Sequence, residues 1–148
     1  MNATRRYCTF LLGKKLFGIE VDQVQEVLRS QPITRVPLAP PVIAGLINLR
    51  GQVVLAIDLR VRLGIPPANP DRPPINVILR TDEGPLSLLV DEIAPVLEVE
   101  ESAFEPVPET MRGASRELLE GAYKLPDRLL LALDAGRVID VNLKIGIV

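Results

Sequence analysis

Apolar and polar residues alternate in short runs along most of this chain, and the clearest run predicts a hairpin within residues 44–60. In the first arm, apolar and polar positions alternate as far as Arg50, as expected of a half-buried strand. A dense apolar run, Val53–Ile57, forms the second arm and is typical of a strand buried on both faces. The sequence therefore predicts two strands that meet at Arg50 and Gly51.

The residues that flank the second arm also have predicted roles. Gly51 supplies the tight reversal, because glycine reaches positive φ without the penalty of a Cβ atom. Asp58 ends the strand and can cap a short helical turn that stops at Gly64. Arg50 is a long cation at a hairpin tip, and such a side chain usually ends in solvent or in a specific ion pair.

The rest of the hydrophobic pattern predicts further strands and little helix. The predicted strands or extended segments are Arg6 to Leu12, Leu16 to Val21, Ile33 to Val36, Ile75 to Arg80, Pro85 to Val90, Ala94 to Val99, Leu118 to Leu125 and Arg128 to Leu133. Asp22 is expected to cap a short helix over residues 23–29, and a second short helix is predicted over residues 135–143. Five prolines between residues 64 and 74 exclude a helix or a central strand, so this segment is predicted to be a linker.

Two parts of the chain repeat one another, which indicates a duplicated strand–turn–strand unit. The pattern at Val21-Asp22-Gln23-Val24 recurs 69 residues later, and Gly45, Leu49, Ala56 and Asp58 recur 76 residues later as Gly121, Leu125, Ala132 and Asp134. This repeat predicts two small antiparallel barrels on either side of the proline-rich linker. The repeat is broken at Glu26 and Arg50, which are matched by Pro95 and Pro126, so these two polar residues are better candidates for function.

Composition limits both the core and the partners of this chain. Hydrophobic residues make up 47% of the 148 residues and aromatic residues only 3%, so the core must consist of Val, Leu and Ile. The formal net charge of −2 indicates neither a basic face for nucleic acid nor a basic cluster for an acidic membrane. The apolar run at residues 8–12 is too short for a signal peptide, and no stretch approaches the length of a membrane span.

The shortage of cysteine and histidine excludes most catalytic and metal centres. The chain has one cysteine and no histidine, which removes most metal sites, every Ser–His or Cys–His nucleophile and any internal disulfide. Carboxylates remain, and the acidic stretch 98–105 could suggest a carboxylate-based hydrolase. Nothing near that stretch would hold a carboxyl group protonated at neutral pH, and the sequence has no glycine-rich phosphate loop. We therefore expect a solvated acidic loop, no catalytic residue, no metal and no cofactor.

The central hairpin, from Gly45-Leu46-Ile47-Asn48-Leu49-Arg50-Gly51-Gln52 to Asp58-Leu59-Arg60, resembles the signature of the CheW family of bacterial chemotaxis coupling proteins. Further segments resemble the same family, and together they extend from about Arg6 to Asp140. These segments are Phe17 to Val27, Ile33 to Pro37, Leu89 to Ile93, Gly121 to Tyr123 and Asp127 to Leu131. One departure is Arg29-Ser30-Gln31-Pro32, where relatives often carry a glycine after the helix.

The resemblance implies a fold, a class of activity and a set of partners. It implies an all-β fold of two packed, five-stranded Src-homology-3-like barrels with a few short helices, and it implies no enzymatic activity. Proteins of this family connect the cytoplasmic tips of methyl-accepting chemoreceptors to the regulatory domain of the histidine kinase CheA. The expected location is the cytoplasm, with recruitment to membrane-anchored receptor arrays, no direct membrane insertion and no binding to nucleic acid.

The resemblance also implies which residues couple the partners. Family positions that match Val24, Glu26 and Arg50 are tied to receptor and kinase coupling, and Val27 is expected on the same surface. We expect Glu26 and Arg50 to pair beside a groove lined by Val24, with Val24 partly exposed. The full expected set is Val24, Glu26, Val27 and Arg50 for coupling, Gly45 as a further coupling-sensitive position, and Gly51 and Asp58 as structural residues.

The expected organisation is a single domain over residues 6–145, with subdomains at roughly 6–64 and 75–140 joined by the linker 64–74. The chain starts at Met1 and ends just after the fold without a receiver domain, which favours a free-standing adaptor. Two alternatives stay open: a coupling protein of another chemosensory pathway, such as type IV pilus motility, and a detached regulatory domain of a CheA-type kinase. The sequence also leaves open whether the two barrels exchange strands.

Overall fold

Strands dominate the computed structural model, which describes residues 3–67 and 71–140. The strands are β1 (Thr4–Leu12), β2 (Lys15–Glu20), β3 (Val24–Leu28), β4 (Ile43–Leu49), β5 (Gln52–Asp58), β6 (Ile75–Leu79), β7 (Leu86–Val90), β8 (Glu92–Glu100), β9 (Phe104–Glu105), β10 (Leu119–Lys124) and β11 (Leu129–Leu133). The helices are α1 (Leu59–Leu63), α2 (Ala114–Leu118) and α3 (Ala135–Ile139), with single 3-10 turns at Val21–Gln23 and Glu101–Ala103. The prediction of a mostly β fold with a few short helices is therefore confirmed.

The strands form two sheets, and each sheet draws strands from both sides of the proline-rich segment. The six-stranded sheet has the order β8-β1-β2-β11-β10-β9, and the five-stranded sheet has the order β3-β6-β7-β5-β4. Neighbouring strands are antiparallel except β2 with β11 and β5 with β7. The chain thus exchanges one hairpin in each direction, so the two sheets do not coincide with the predicted subdomains 6–64 and 75–140, whose bounds stay a prediction.

The sheets differ from the expected barrels in two respects. Both are open rather than closed barrels, and one has six strands instead of five. The sixth strand is the two-residue β9, which pairs with β10. In the five-stranded sheet the corresponding place beside β4 is taken by a single bridge between Thr34 and Leu46. Short edge strands of this kind leave few unpaired backbone groups on the open edges.

The internal repeat is visible in the two hairpins β4–β5 and β10–β11. Each hairpin has a register irregularity just before a glycine that pairs with an alanine, Gly45 with Ala56 and Gly121 with Ala132. Each second strand runs directly into a five-residue helix, α1 or α3. The sequence repeat therefore reflects a repeated local structure.

The core lies mainly between the two sheets. The largest cluster of buried side chains includes Phe10 and Phe17 from the six-stranded sheet and Ile57 and Leu88 from the five-stranded sheet. Each sheet also encloses a smaller cluster of its own, as expected of strongly curled sheets. Buried aliphatic surface thus holds the two sheets together.

Three segments differ from the elements that the sequence predicts. The predicted helix 23–29 is a 3-10 turn followed by β3, because Val24–Leu28 pairs with β6 and β-branched valines suit that pairing. The second arm of the central hairpin is not buried on both faces, since Val53 is exposed. Part of the predicted acidic loop belongs to β8, which ends at Glu100. The last helix is described as far as Ile139, and residues 141–143 of its predicted range lie outside the described residues.

Candidate functional site

The tip of the β4–β5 hairpin is a two-residue turn made by Arg50 and Gly51. The flanking residues Leu49 and Gln52 pair with each other, and both turn residues have positive φ, 50° at Arg50 and 86° at Gly51. Such a turn matches the twist of the flanking strands but strains any residue that has a Cβ atom. The Asn48 side chain offsets that strain, because its Oδ1 accepts a hydrogen bond from the Gly51 N–H at 2.8 Å. The turn therefore holds Arg50 in a defined direction.

Arg50 forms a two-pronged ion pair with Glu26 of β3. Nη1 of Arg50 donates to Oε1 of Glu26 at 3.0 Å, and Nη2 donates to Oε2. Two parallel hydrogen bonds of this kind fix the geometry of both groups as well as their charge. The predicted pairing of these two residues is confirmed.

The ion pair joins the two edges of the five-stranded sheet. β3 and β4 are the edge strands of that sheet, with β6, β7 and β5 between them. A contact between a β3 side chain and the tip of the β4–β5 hairpin therefore requires the sheet to curl until its two edges lie close to each other, although they do not pair. The side chains of Arg50 and Glu26 are 65% and 23% exposed, so the pair bridges this gap at the surface.

Each member of the pair favours the charged form of the other. The hydrogen bonds from Arg50, with a further one from Gln25 Nε2, hold the pKa of Glu26 below its usual range. The Glu26 carboxylate in turn raises the pKa of Arg50. The surface therefore presents a fixed pair of opposite charges at neutral pH.

Of the two valines of β3 that are expected on the coupling surface, only Val27 is exposed. Val24 is 9% exposed and belongs to the core between the sheets, whereas Val27 is 40% exposed. The expectation that Val24 is partly exposed is wrong, because a register irregularity between Val24 and Glu26 separates the inward valine from the outward carboxylate. Val24 therefore contributes to the core, and Val27, the neighbour of Glu26 in the chain, is the exposed valine of β3.

Gly45, Gly51 and Asp58 shape the backbone around the hairpin. Gly45 has φ of 148°, and a Cβ atom there would lie 2.4 Å from the carbonyl oxygen of Thr34. Gly51 needs its positive φ, but a Cβ atom there would meet no atom within 4 Å. Oδ1 of Asp58 accepts hydrogen bonds from the N–H groups of Arg60 and Val61 and so caps α1. The predicted helix cap and its end at Gly64, whose φ is 71°, are confirmed.

The sequence interpretation gave no role to two residues that the structure places at this hairpin. In the sequence, Asn48 is only a polar position in an alternating strand, and the signal for its role is that asparagine side chains commonly bond to the backbone of a nearby turn. Val53 belongs to the apolar run that predicts a buried strand, but in the structure it pairs with Asn48 and is exposed. We define the ion-pair surface as Glu26, Val27, Asn48, Arg50 and Val53.

The residues that the structure describes, 3–67 and 71–140, offer neither a metal centre nor a membrane-spanning helix. They contain no group of three or more His, Cys, Asp or Glu side chains that could hold a metal ion. In the same residues, no helix is long and apolar enough to cross a membrane.

Comparisons with known proteins agree with this architecture. The chain is 36% identical to the chemotaxis protein CheW of Bacillus subtilis strain 168 over 131 residues, which cover 88% of this chain and 84% of that protein. It is 29% identical to a probable chemotaxis protein CheW of Rhizobium etli, over 88% of this chain and 84% of that protein. The crystal structure of the scaffolding protein TtCheW from Thermoanaerobacter tengcongensis matches with a TM-score of 0.83 at 28% identity, over 95% of each chain. Residues 6–142 match the CheW-like domain, and the chain belongs to the CheW-like family.

Proposed function

We propose that this chain is a non-enzymatic adaptor of bacterial chemotaxis that couples chemoreceptors to a histidine kinase. The specific partners would be the cytoplasmic tips of methyl-accepting receptors and the regulatory domain of CheA. The adaptor role is supported by the family match over residues 6–142 and by the named chemotaxis relatives. The observation that carries the proposal is the two-pronged Glu26–Arg50 pair, which fixes a charged surface across the edges of one sheet.

The geometry favours binding through a preformed surface. The Asn48 hydrogen bond, the two-residue turn and the ion pair already order Arg50 in the free protein. Ordering a long side chain only when a partner binds would reduce the affinity, and a preformed site avoids that loss. Val27 and Val53 supply exposed aliphatic surface near these charges, which suits a partner helix with a mixed polar and apolar face. The site of action that follows from these partners is the cytoplasmic face of a receptor array.

The first test replaces Arg50 by alanine. An exposed ion pair contributes little to folding, so the melting temperature of Arg50→Ala should stay close to that of the wild type. Coupling should weaken roughly tenfold or more, because Glu26 would then face the partner without its cation. The measurement is receptor-stimulated kinase autophosphorylation, together with co-sedimentation of the chain with receptor fragments and kinase.

The matched control is Arg72→Ala. Arg72 is a similarly exposed arginine, with 60% of its side chain accessible, and it pairs with Glu92 outside the ion-pair surface. This control should leave coupling unchanged. A charge exchange, Glu26→Arg with Arg50→Glu, should recover part of the coupling lost in Arg50→Ala. If Arg50→Ala melts normally and couples as well as Arg72→Ala, the ion-pair surface is not the coupling site.

A further inference from the structure

Basic side chains surround a pair of adjoining clefts at the tip of the β1–β2 hairpin. One cleft, of about 270 Å³, lies between this tip, β11 and the loop at residues 108–111. The other, of about 600 Å³, lies between the tip, the end of α1 and the start of α2. Both are lined by Lys14 and Lys15, so the hairpin tip is their common wall. We call the two clefts together the basic groove.

The charge of the basic groove is of one sign. Besides the two lysines, Arg128 lines the smaller cleft and Arg112 the larger one. Within residues 3–67 and 71–140, no Asp or Glu side chain lines either cleft. Two carboxylates lie at the margin of the groove without lining it: Oδ2 of Asp127 is 3.5 Å from Nε of Arg128, and Oδ2 of Asp91, which pairs with Arg60, accepts a hydrogen bond from the Gly13 N–H at 2.8 Å. Four cations at one site are notable in a chain whose formal net charge is −2.

The floor of the groove is apolar. The smaller cleft is floored by Leu16, Leu131 and the exposed side chain of Leu129, with Met111 at its side. The larger cleft reaches the buried Leu63. A basic rim over an apolar floor favours a ligand that carries both carboxylates and aliphatic side chains.

The walls of the groove are held by hydrogen bonds. Arg116 Nη1 donates to the carbonyl oxygen of Pro108 at 3.0 Å, and the Met111 N–H donates to the same oxygen at 3.0 Å. Ser115 Oγ donates to the Leu63 carbonyl oxygen at 2.7 Å and ties α2 to α1. The groove is therefore preformed, so a ligand would not have to order its walls.

We propose that the basic groove is a docking site for an acidic peptide segment of a partner protein, with leucine-like side chains seated on either side of the Lys14–Lys15 tip. Its carboxylates would meet the four cations, of which only Arg128 has an ion pair, with Asp127, among the described residues. This site is independent of the proposed coupling surface, because the two share no residue and the hairpin tip belongs to the six-stranded sheet.

The experiment measures binding of the peptide Glu-Leu-Glu-Asp-Leu-Glu-amide to the full chain by fluorescence anisotropy. The peptide carries a fluorophore on its N-terminal amine. A dissociation constant below about 1 mM is expected at low salt, and it should weaken as added salt screens the rim. Lys14→Glu should weaken binding about tenfold. The control is Arg29→Glu, which reverses the charge of an exposed cation just after β3 that lines neither cleft, and it should have no effect.

Further variants separate this proposal from its alternatives. Leu129→Ser should weaken binding, whereas Ile93→Ser, an exposed aliphatic residue at the far edge of the same sheet, should not. Arg50→Ala should bind the peptide normally, so that the proposed coupling function and the groove can fail separately. The proposal is overturned if no binding occurs below about 1 mM, if Lys14→Glu and Arg29→Glu behave alike, or if phosphatidylglycerol vesicles bind through the lysines while the peptide does not.

Discussion

At the scale of single residues, Asn48 has the most specific role at the ion-pair surface. Its Oδ1 bonds to the backbone of the turn, and it thereby holds the turn that directs Arg50 towards Glu26. Without the Oδ1 acceptor, the Gly51 N–H loses its partner in a turn whose φ values are already unfavourable for an arginine. Arg50 would then spend less time paired, and the carboxylate of Glu26 would lose its closest donor.

We therefore predict that Asn48→Ala raises the pKa of Glu26 towards the usual range of a glutamate. The sign follows because the Arg50 hydrogen bonds are the largest cause that lowers this pKa. Titration of the Glu26 side chain by NMR measures the effect, with amide exchange of Gly51 as a report on the turn. Gln52→Ala, beside the same turn, is the control. An unchanged Glu26 titration in Asn48→Ala would mean that Arg50 needs no help from Asn48.

Gly45 and Gly51 should respond differently to the same substitution. A Cβ atom at Gly51 meets open space, so Gly51→Ala should cost only left-handed strain, about 1–2 kcal/mol. A Cβ atom at Gly45 collides with backbone of Thr34, so Gly45→Ala adds overpacking and should cost about 2–5 kcal/mol in total. Chemical denaturation of both variants measures the difference. Equal losses would show that the Thr34 segment moves aside freely, and that the coupling sensitivity expected at Gly45 has another cause.

At the scale of elements, hairpins were easier to predict from sequence than the segment that follows β2. Turn glycines and apolar arms define β4–β5 locally, and the Asp58 cap lies within the same few residues. The segment 23–29 has valines at positions that suit both a helix and a strand, and only pairing with β6, some fifty residues later, decides for the strand. The exposure of Val24 and Val27 follows from that pairing and from its irregularity, so it could not be read locally.

The two helix caps of the repeat allow a paired prediction. Asp58 accepts two backbone hydrogen bonds at the start of α1, whereas Asp134 accepts one, from the Arg137 N–H at 3.1 Å, at the start of α3. Asp58→Ala should cost about 1 kcal/mol of unfolding free energy, and Asp134→Ala less. Thermal or urea unfolding provides the comparison, with Asp58→Asn as a control that keeps an acceptor. A greater loss at Asp134 would mean that its ion pair with Arg137 outweighs the cap.

At the scale of the whole molecule, the exchange of hairpins decides which parts can separate. β1 and β2 lie with the C-terminal strands, and β6 and β7 lie with β3, β4 and β5. The repeat in the sequence predicts two similar units but carries no signal for which strand joins which sheet, since every arm is similarly aliphatic. The chain crosses from the six-stranded sheet to the five-stranded sheet after β2 and back again after β7, so the six-stranded sheet is made of two separate segments of the chain. We therefore expect the two sheets to unfold together.

One ion pair lies where the two sheets are joined. Arg60 of α1 donates from Nε to Asp91 Oδ1 at 2.9 Å and from Nη2 to Oδ2, and the Gly13 N–H donates to the same Oδ2 at 2.8 Å. Asp91 lies between β7 of one sheet and β8 of the other, and Gly13 lies in the β1–β2 turn. The side chains of Arg60 and Asp91 are only 14% and 12% exposed, so this pair is better shielded from water than the Glu26–Arg50 pair.

Asp91 should make the stability of the whole molecule depend on pH. The hydrogen bonds from Arg60 are the main cause that lowers the pKa of Asp91, with a further contribution from the Gly13 N–H. A carboxyl group whose pKa is lower in the folded chain stabilises that chain above the unfolded pKa, and this contribution is lost as the pH falls through the folded pKa. Asp91→Asn removes the charge but keeps the shape, so its unfolding free energy at neutral pH should be lower by about 1.5–3 kcal/mol.

The deficit of Asp91→Asn should shrink as the pH falls below about 4, because the wild-type carboxyl group then becomes neutral as well. Urea unfolding of both proteins between neutral and acid pH measures the difference. Glu92→Gln is the matched control, since the adjacent Glu92 is more exposed and its pair with Arg72 should contribute little at any pH. If the difference between wild type and Asp91→Asn stays constant down to acid pH, the charge of Asp91 does not hold the sheets together. The aliphatic core between the sheets would then be what holds them together.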